Sequence, residues 1–105
     1  MADLKTLDKQ AFDKFISENK VVLVDFYATW CGPCRMLGPV LDDVNKELGS
    51  TYPIAKVDID EQYAIAKSFG IMGVPTMIVF ENGKERDRLV GFRPKQDIIK
   101  ALKGE

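Results

Sequence analysis

With 105 residues, 46% of them hydrophobic and 30% charged, the chain is sized and composed for one compact domain over residues 1–105, which excludes a disordered or fibrous protein. Fifteen basic residues against sixteen acidic ones leave a net charge of -1, without the basic excess that nucleic-acid binding requires. No apolar run exceeds four residues, as in Val21–Val24, far below the ~20 of a membrane span.

Asp3 to Thr6 is expected as a short edge strand. Asp8 is placed to cap a helix running to about Asn19, with Phe12, Phe15 and Ile16 on one face at helical spacing. Val21 to Ala28 is β-branched, aromatic and apolar on both faces, the pattern of a central strand covered on two sides. A helix from about Cys34 to Leu48 carries Leu37, Val40, Leu41, Val44 and Leu48 as its inner stripe, with Pro39 expected to kink it and Gly49 to end it. Tyr52 to Ile59 reads as a strand, Glu61 to Phe69 as a short helix stopped by Gly70, and Thr76 to Glu81 as a strand. Asn82-Gly83 marks a tight hairpin into Glu85 to Val90, and Pro94 opens a last helix with Ile98, Ile99 and Leu102 inward. The order β-α-β-α-β-α-β-β-α predicts an α/β protein. Parallel pairing is expected through the strand–helix–strand units and antiparallel pairing at the hairpin, in a mixed central sheet with helices on both faces. In such a sheet chemistry gathers beyond the carboxyl ends of the parallel strands, where Trp30-Cys31-Gly32-Pro33-Cys34 lies.

That segment holds the only two cysteines, and there is no histidine. A secreted disulfide scaffold would spread more cysteines along the chain, and a structural zinc site would need four ligands; no metal site is expected. A purely structural disulfide closing so short a loop would contribute only about 2 kcal/mol in the chain-entropy model. A redox-active dithiol is the reading that uses the strand-before, helix-after context. Cys31, ahead of the first turn, faces unpaired N–H groups and the positive end of the helix dipole, which favours thiolate and makes it the expected nucleophile. Cys34, one turn in, is expected to be more covered and to act as the resolving thiol. Pro33 suits the first turn and stiffens the bridge; Gly32 turns tightly and leaves the first sulfur open. Asp25 interrupts an apolar strand on the face of Val21, Leu23 and Tyr27. Burial there raises a carboxyl pKa toward the range of proton transfer; the alternative is a hydrogen-bonded Asp or one ion-paired with Lys56, and the pattern leaves both open. The bland reading of Val74-Pro75-Thr76 is an ordinary turn, of Gly91-Phe92 a turn with an aromatic plug, and of Glu81 to Arg88 a solvated face. Met36, Met72 and Met77 fit either an adaptable contact surface or core and rim filling.

Over essentially its whole length the sequence resembles the thioredoxin family. The resemblance rests on Val24-Asp25-Phe26-Tyr27-Ala28, Trp30-Cys31-Gly32-Pro33-Cys34-Arg35, Pro39, Lys56-Val57-Asp58, Gly73-Val74-Pro75-Thr76, Asn82-Gly83 and Val90-Gly91. It implies the thioredoxin fold, a central mixed five-stranded sheet flanked by four helices. It also implies a protein disulfide reductase and electron carrier: Cys31 attacks a substrate disulfide, Cys34 resolves the mixed disulfide, and Asp25, tuned by Lys56, assists proton transfer through a water. Pro75 would be cis and packed beside the sulfurs. Trp30, Gly73, Val74, Thr76, Gly91 and Phe92 would form the substrate-binding surface, a flat apolar groove that Pro33 also lines, with backbone groups around Val74 pairing with an extended substrate. The implied partners are disulfide-containing proteins and a thioredoxin reductase, with no bound cofactor beyond the Cys31–Cys34 pair, and a monomer is expected.

The sequence departs from the family pattern at Tyr27, where a second Trp is frequent, at Arg35 in place of a frequent Lys, and at Phe92, an added aromatic. Oxidase and isomerase relatives usually carry a His before the second cysteine; Pro33 there argues against those roles. A non-catalytic scaffold using the same groove is the rival of a different class. The polar start Met1–Thr6 has no apolar stretch of the kind a secretory signal needs, so a cytoplasmic location is expected.

Overall fold

A computed structural model describes residues 4–105. Among these, five strands and four helices follow one another in the expected order: β1 (Lys5–Thr6), α1 (Lys9–Glu18), β2 (Val21–Tyr27), α2 (Gly32–Leu48), β3 (Ile54–Asp58), α3 (Tyr63–Ser68), β4 (Thr76–Glu81), β5 (Lys84–Val90) and α4 (Lys95–Lys103). The Asp3 end of the expected first strand lies outside the described residues. The strands form one sheet in the order β1-β3-β2-β4-β5, so β2 is central. Its two apolar faces feed two cores. Val21 and Leu23 pack with Leu37, Leu41 and Val44 of α2 and Ile98 and Leu102 of α4, while Val22, Val24 and Phe26 pack with Phe12 of α1 and Ile65 of α3.

Local chemistry sets most boundaries. The Asp8 side chain accepts from the Ala11 N–H at 2.9 Å and caps α1. Asn82 and Gly83 both take positive φ (54° and 81°), as a two-residue hairpin with the right-handed twist requires. Three limits differ from the sequence expectation. Tyr52 donates its N–H to Leu48 O, which holds it in the turn after α2 and delays β3 to Ile54. The Asp58 carboxylate takes the N–H groups of Asp60 and Glu61, so α3 starts only at Tyr63. Helix α2 begins at Gly32, not Cys34, because Cys31 itself caps it, and it continues through Pro39 to Leu48.

One pairing also differs. The strand–helix–strand pattern over β3-α3-β4 implied a parallel partner, yet β4 runs antiparallel to β2, with Phe26 opposite Thr76. A six-residue helix spans about 9 Å, roughly half the length of a strand. The connection therefore does not return to the start of the sheet, and β4 enters at the end where β2 and β3 finish. This reversal brings the loop before β4 to the start of α2.

The charged stretch Glu81 to Arg88 is more than a solvated face. Arg86 donates to the carbonyls of Ala101 and Leu102 in the last turn of α4 and pairs with Glu81. It fastens the edge strand to the terminal helix by charge-assisted bonds. Arg86→Ala is expected to cost about 2 kcal/mol, read as a lower urea midpoint at unchanged m-value.

Candidate active site

Four chain segments meet beyond the ends of β2 and β3: the start of α2, the turn after β3, the loop before β4 and the end of β5. Cys31 occupies the N-cap of α2, its Sγ accepting from the Cys34 N–H at 3.1 Å. Gly32 and Pro33 make up the first turn, where the missing proline N–H interrupts no helical bond. Cys31 and Cys34 are joined as a disulfide, with Cα atoms 5.2 Å apart.

The expected contrast in coverage between the two sulfurs is absent: Cys31 is 4% exposed and Cys34 7%. The pair differ in what they face. Cys31 lines an outer groove of about 470 Å³ with Trp30, Gly32, Pro33, Ile59, Ile71, Met72, Gly73 and Val74. Cys34 lines an inner cavity of about 490 Å³ that opens to solvent past Thr29, Arg35 and Pro39 and is shared with Asp25, Tyr27, Lys56 and residues of α2. In the bridged pair both residues are buried, so coverage does not separate them.

The peptide bond between Val74 and Pro75 is cis, and Val74 O lies 3.6 Å from Cys31 Sγ. Two neighbours hold this loop. Buried Thr76 donates its hydroxyl to Gly73 O at 2.7 Å, and Gly91, at a φ of 87° open to glycine, donates its N–H to Pro75 O at 2.7 Å. Pro75 is buried, and Phe92, beyond the last strand, is an exposed aromatic outside the groove lining.

Trp30 is 66% exposed, yet its indole N–H donates to Asp60 Oδ2 at 2.8 Å. The Asp58 side chain holds Asp60 in its turn, so two carboxylates at the end of β3 orient the lone tryptophan. Asp60, Ile59 and Ile71 join the site without having been expected there from the sequence. The only local signal was the Asp58-x-Asp60 spacing, a turn pattern in which the first side chain binds the backbone two residues on. Among the methionines, Met77 is core, while Met72 is 97% exposed on the groove rim.

Asp25 is 2% exposed, and its Oδ1 has no hydrogen-bond partner among the described residues. Desolvation pushes its pKa up to about 7, against the pull of the Lys56 charge. Register sets Lys56 directly beside Asp25, but its ammonium sits over the Tyr27 ring at 4.2 Å from the centroid, and no Asp25–Lys56 ion pair forms among the described residues. The alternative of an ion-paired Asp25 is thus replaced by a buried carboxyl that feels Lys56 only through space. No group of three or more His, Cys, Asp or Glu among the described residues is placed to hold a metal ion.

Comparison with known proteins agrees with this geometry. The family model described as Thioredoxin matches residues 3–104. The thioredoxin of Bacillus subtilis (strain 168) is 44% identical over 91% of this chain and 90% of its own length. That of Staphylococcus haemolyticus is 43% identical over 97% and 96%. The solved structure of a mutant thioredoxin from Halobacterium salinarum NRC-1 superposes with a TM-score of 0.89 at 36% identity, covering 96% of this chain and 88% of that one. The family match spans every strand and helix from β1 to α4, the segment that caps α2 with a cysteine among them. By that measure the chain belongs to the thioredoxin family, the protein disulfide oxidoreductases that work by dithiol–disulfide exchange.

Proposed function

We propose that the reduced Cys31–Cys34 pair donates two electrons to protein disulfides, with Cys31 as nucleophile, Cys34 as resolving thiol and Asp25 as acceptor of the Cys34 proton. The observation that carries this division of labour is that the two sulfurs face different spaces: Cys31 the outer groove, Cys34 the inner cavity with Asp25. The Cys31 thiolate, stabilised by the Cys34 N–H and the helix start, attacks one sulfur of the substrate, and the substrate disulfide breaks as its other half leaves as a thiolate. Cys34 then gives its proton to Asp25 and attacks Cys31, forming the internal disulfide and expelling the second substrate thiolate. The leaving thiolates take up protons, so one dithiol is oxidised and one disulfide is reduced. A second thiol on the same turn supplies the high effective concentration that makes resolution fast.

Trp30, Gly73 and Val74 form the docking surface, where an extended segment pairs with the loop backbone; Gly91 and Thr76 hold that loop, and Phe92 is an exposed aromatic beyond β5 that a larger partner would meet. Lys56 modulates Asp25 through space. Disulfide-containing proteins are the substrates, a thioredoxin reductase restores the dithiol, and no cofactor beyond the cysteine pair takes part. A reductase of this kind works where a reductant is maintained, so we place it in the cytoplasm, as a monomer. None of the helices is long and apolar enough to cross a membrane among the described residues.

The test is the reduction potential of the pair, measured by equilibration with glutathione and dithiol buffers. The expected value is the thioredoxin reference of about -270 mV. A value of about -180 to -120 mV, the range of isomerase and oxidase relatives, would instead assign the protein to making disulfides.

A further inference from the structure

Two buried side-chain oxygens have no hydrogen-bond partner among the described residues: Oδ1 of Asp25 and Oδ1 of Asp42. Both residues line the inner cavity. Asp42 lies on α2 at two four-residue steps from Cys34, so Cys34, Gly38 and Asp42 share one face of the helix. All three line that cavity, and a Cβ built on Gly38 would meet nothing within 4 Å, so the space between the cysteine and Asp42 is open. Asp25 is buried, whereas Asp42 as a residue is half-buried. The other titratable or charged groups facing this space are Tyr27 from β2, Lys56 from β3, and Cys34 and Arg35 from α2. Lys56 is turned over the Tyr27 ring, and Arg35 donates to Thr29 O at 2.8 Å. Neither basic group occupies a carboxylate of the pair.

We propose that Asp42 is a positioning residue for the resolving step: with the cavity it forms an exit path by which the proton that Asp25 takes from Cys34 reaches solvent. A cavity of about 490 Å³ has room for several waters, each of which takes about 30 Å³ in the liquid, and two unpartnered carboxylate oxygens are the acceptors such a chain needs. Proton balance is simple. As Cys34 attacks, Asp25 passes the proton it takes to a water of the chain, the chain delivers one to Asp42, and Asp42 releases it to bulk, so the relay moves within the resolving step and leaves both carboxylates as they began. The inference rests on the reading of Asp25 as the proton acceptor.

The experiment is a single turnover of the reduced protein with a symmetrical aromatic disulfide, which releases one chromogenic thiol on attack by Cys31 and the second on resolution. Asp42→Asn keeps the shape but carries no exchangeable acid. It is expected to leave attack unchanged and to slow resolution by about fivefold between about pH 6 and about pH 8 in dilute buffer, a modest share of a general-base effect. Imidazole, a small proton acceptor with a pKa near 7, is expected to restore the rate, as is Asp42→Glu. Unchanged resolution in Asp42→Asn, or a slowing that imidazole does not relieve, would overturn the proposal. Asp25→Ala separates the two ideas. If it slows resolution while Asp42→Asn does not, only the exit path fails; if Asp25→Ala has no effect either, the reading of Asp25 fails and takes the exit path with it. In the Asp25→Ala background Asp42→Asn is expected to add nothing, and an undiminished further loss would mark a structural role and reject the path.

Discussion

Cys34→Ser is expected to halt the protein after its first half-reaction, leaving the substrate covalently held on Cys31, whereas Cys31→Ser is expected to abolish reduction altogether. The asymmetry follows from what each sulfur faces. Cys31 borders the outer groove, with the Cys34 N–H and the positive end of α2 available to hold a thiolate. Cys34 lines the other cavity, beside Asp25, and on the proposed reading it meets a partner through Cys31. A serine hydroxyl in place of Cys34 cannot attack the mixed disulfide, and the complex persists until an external thiol releases it. The loss in turnover is expected to exceed about a thousandfold for either substitution, since the exchange relies on an intramolecular step of high effective concentration. Mass spectrometry of Cys34→Ser after exposure to a disulfide peptide checks the point: a stable one-to-one adduct on Cys31 is expected. An adduct on Cys34 in the Cys31→Ser protein, formed at a comparable rate, would reverse the assignment.

Asp25→Ala is expected to stabilise the oxidised protein at pH 8 and to slow resolution of the mixed disulfide about tenfold or more. Burial raises the Asp25 pKa from an ordinary 3.8 to about 7, so the folded protein holds a proton that the unfolded chain releases. Between those values unfolding is accompanied by proton loss, and stability falls as pH rises from about 4 to about 7, then levels off. A shift of about three units is worth about 4 kcal/mol, an upper bound on the gain when the carboxyl is removed. The gain is therefore expected to be largest above about pH 7 and to vanish below about pH 4. Urea unfolding at the two ends of this window measures it; an equal gain at both would mean that ionisation is not its source. The kinetic half has its own check. If resolution in Asp25→Ala matches the parent from about pH 6 to about pH 9, proton transfer does not run through this group.

Much of this was legible in the chain. Asp25 stands out because it breaks the apolar alternation of β2, and side-chain alternation alone puts it on the face of Val21 and Leu23, the face that α2 covers. The order of elements, the Asn82-Gly83 hairpin and the cysteine at the start of α2 are local matters of propensity, turn chemistry and unpaired N–H groups. The antiparallel course of β4 was misread because the pattern reports a helix between two strands but not whether that helix is long enough to carry the chain back. Arg86 and Arg88 looked like surface charge for a similar reason. Their acceptors, the carbonyls of Ala101, Leu102 and Phe69, are backbone atoms brought alongside by folding.

By itself, then, the sequence determined the periodic elements, the doubly covered central strand, the redox chemistry of Cys31 and Cys34 and the burial of Asp25, since each depends on residues within a few positions of one another. Tertiary structure alone decided which space each sulfur faces, the seat of Val74 against Cys31 across 43 residues, the grip of Asp60 on Trp30, and the shared cavity of Asp25 and Asp42. These contacts follow from the strand order β1-β3-β2-β4-β5, which is selected by the summed burial of two cores and not by any one segment.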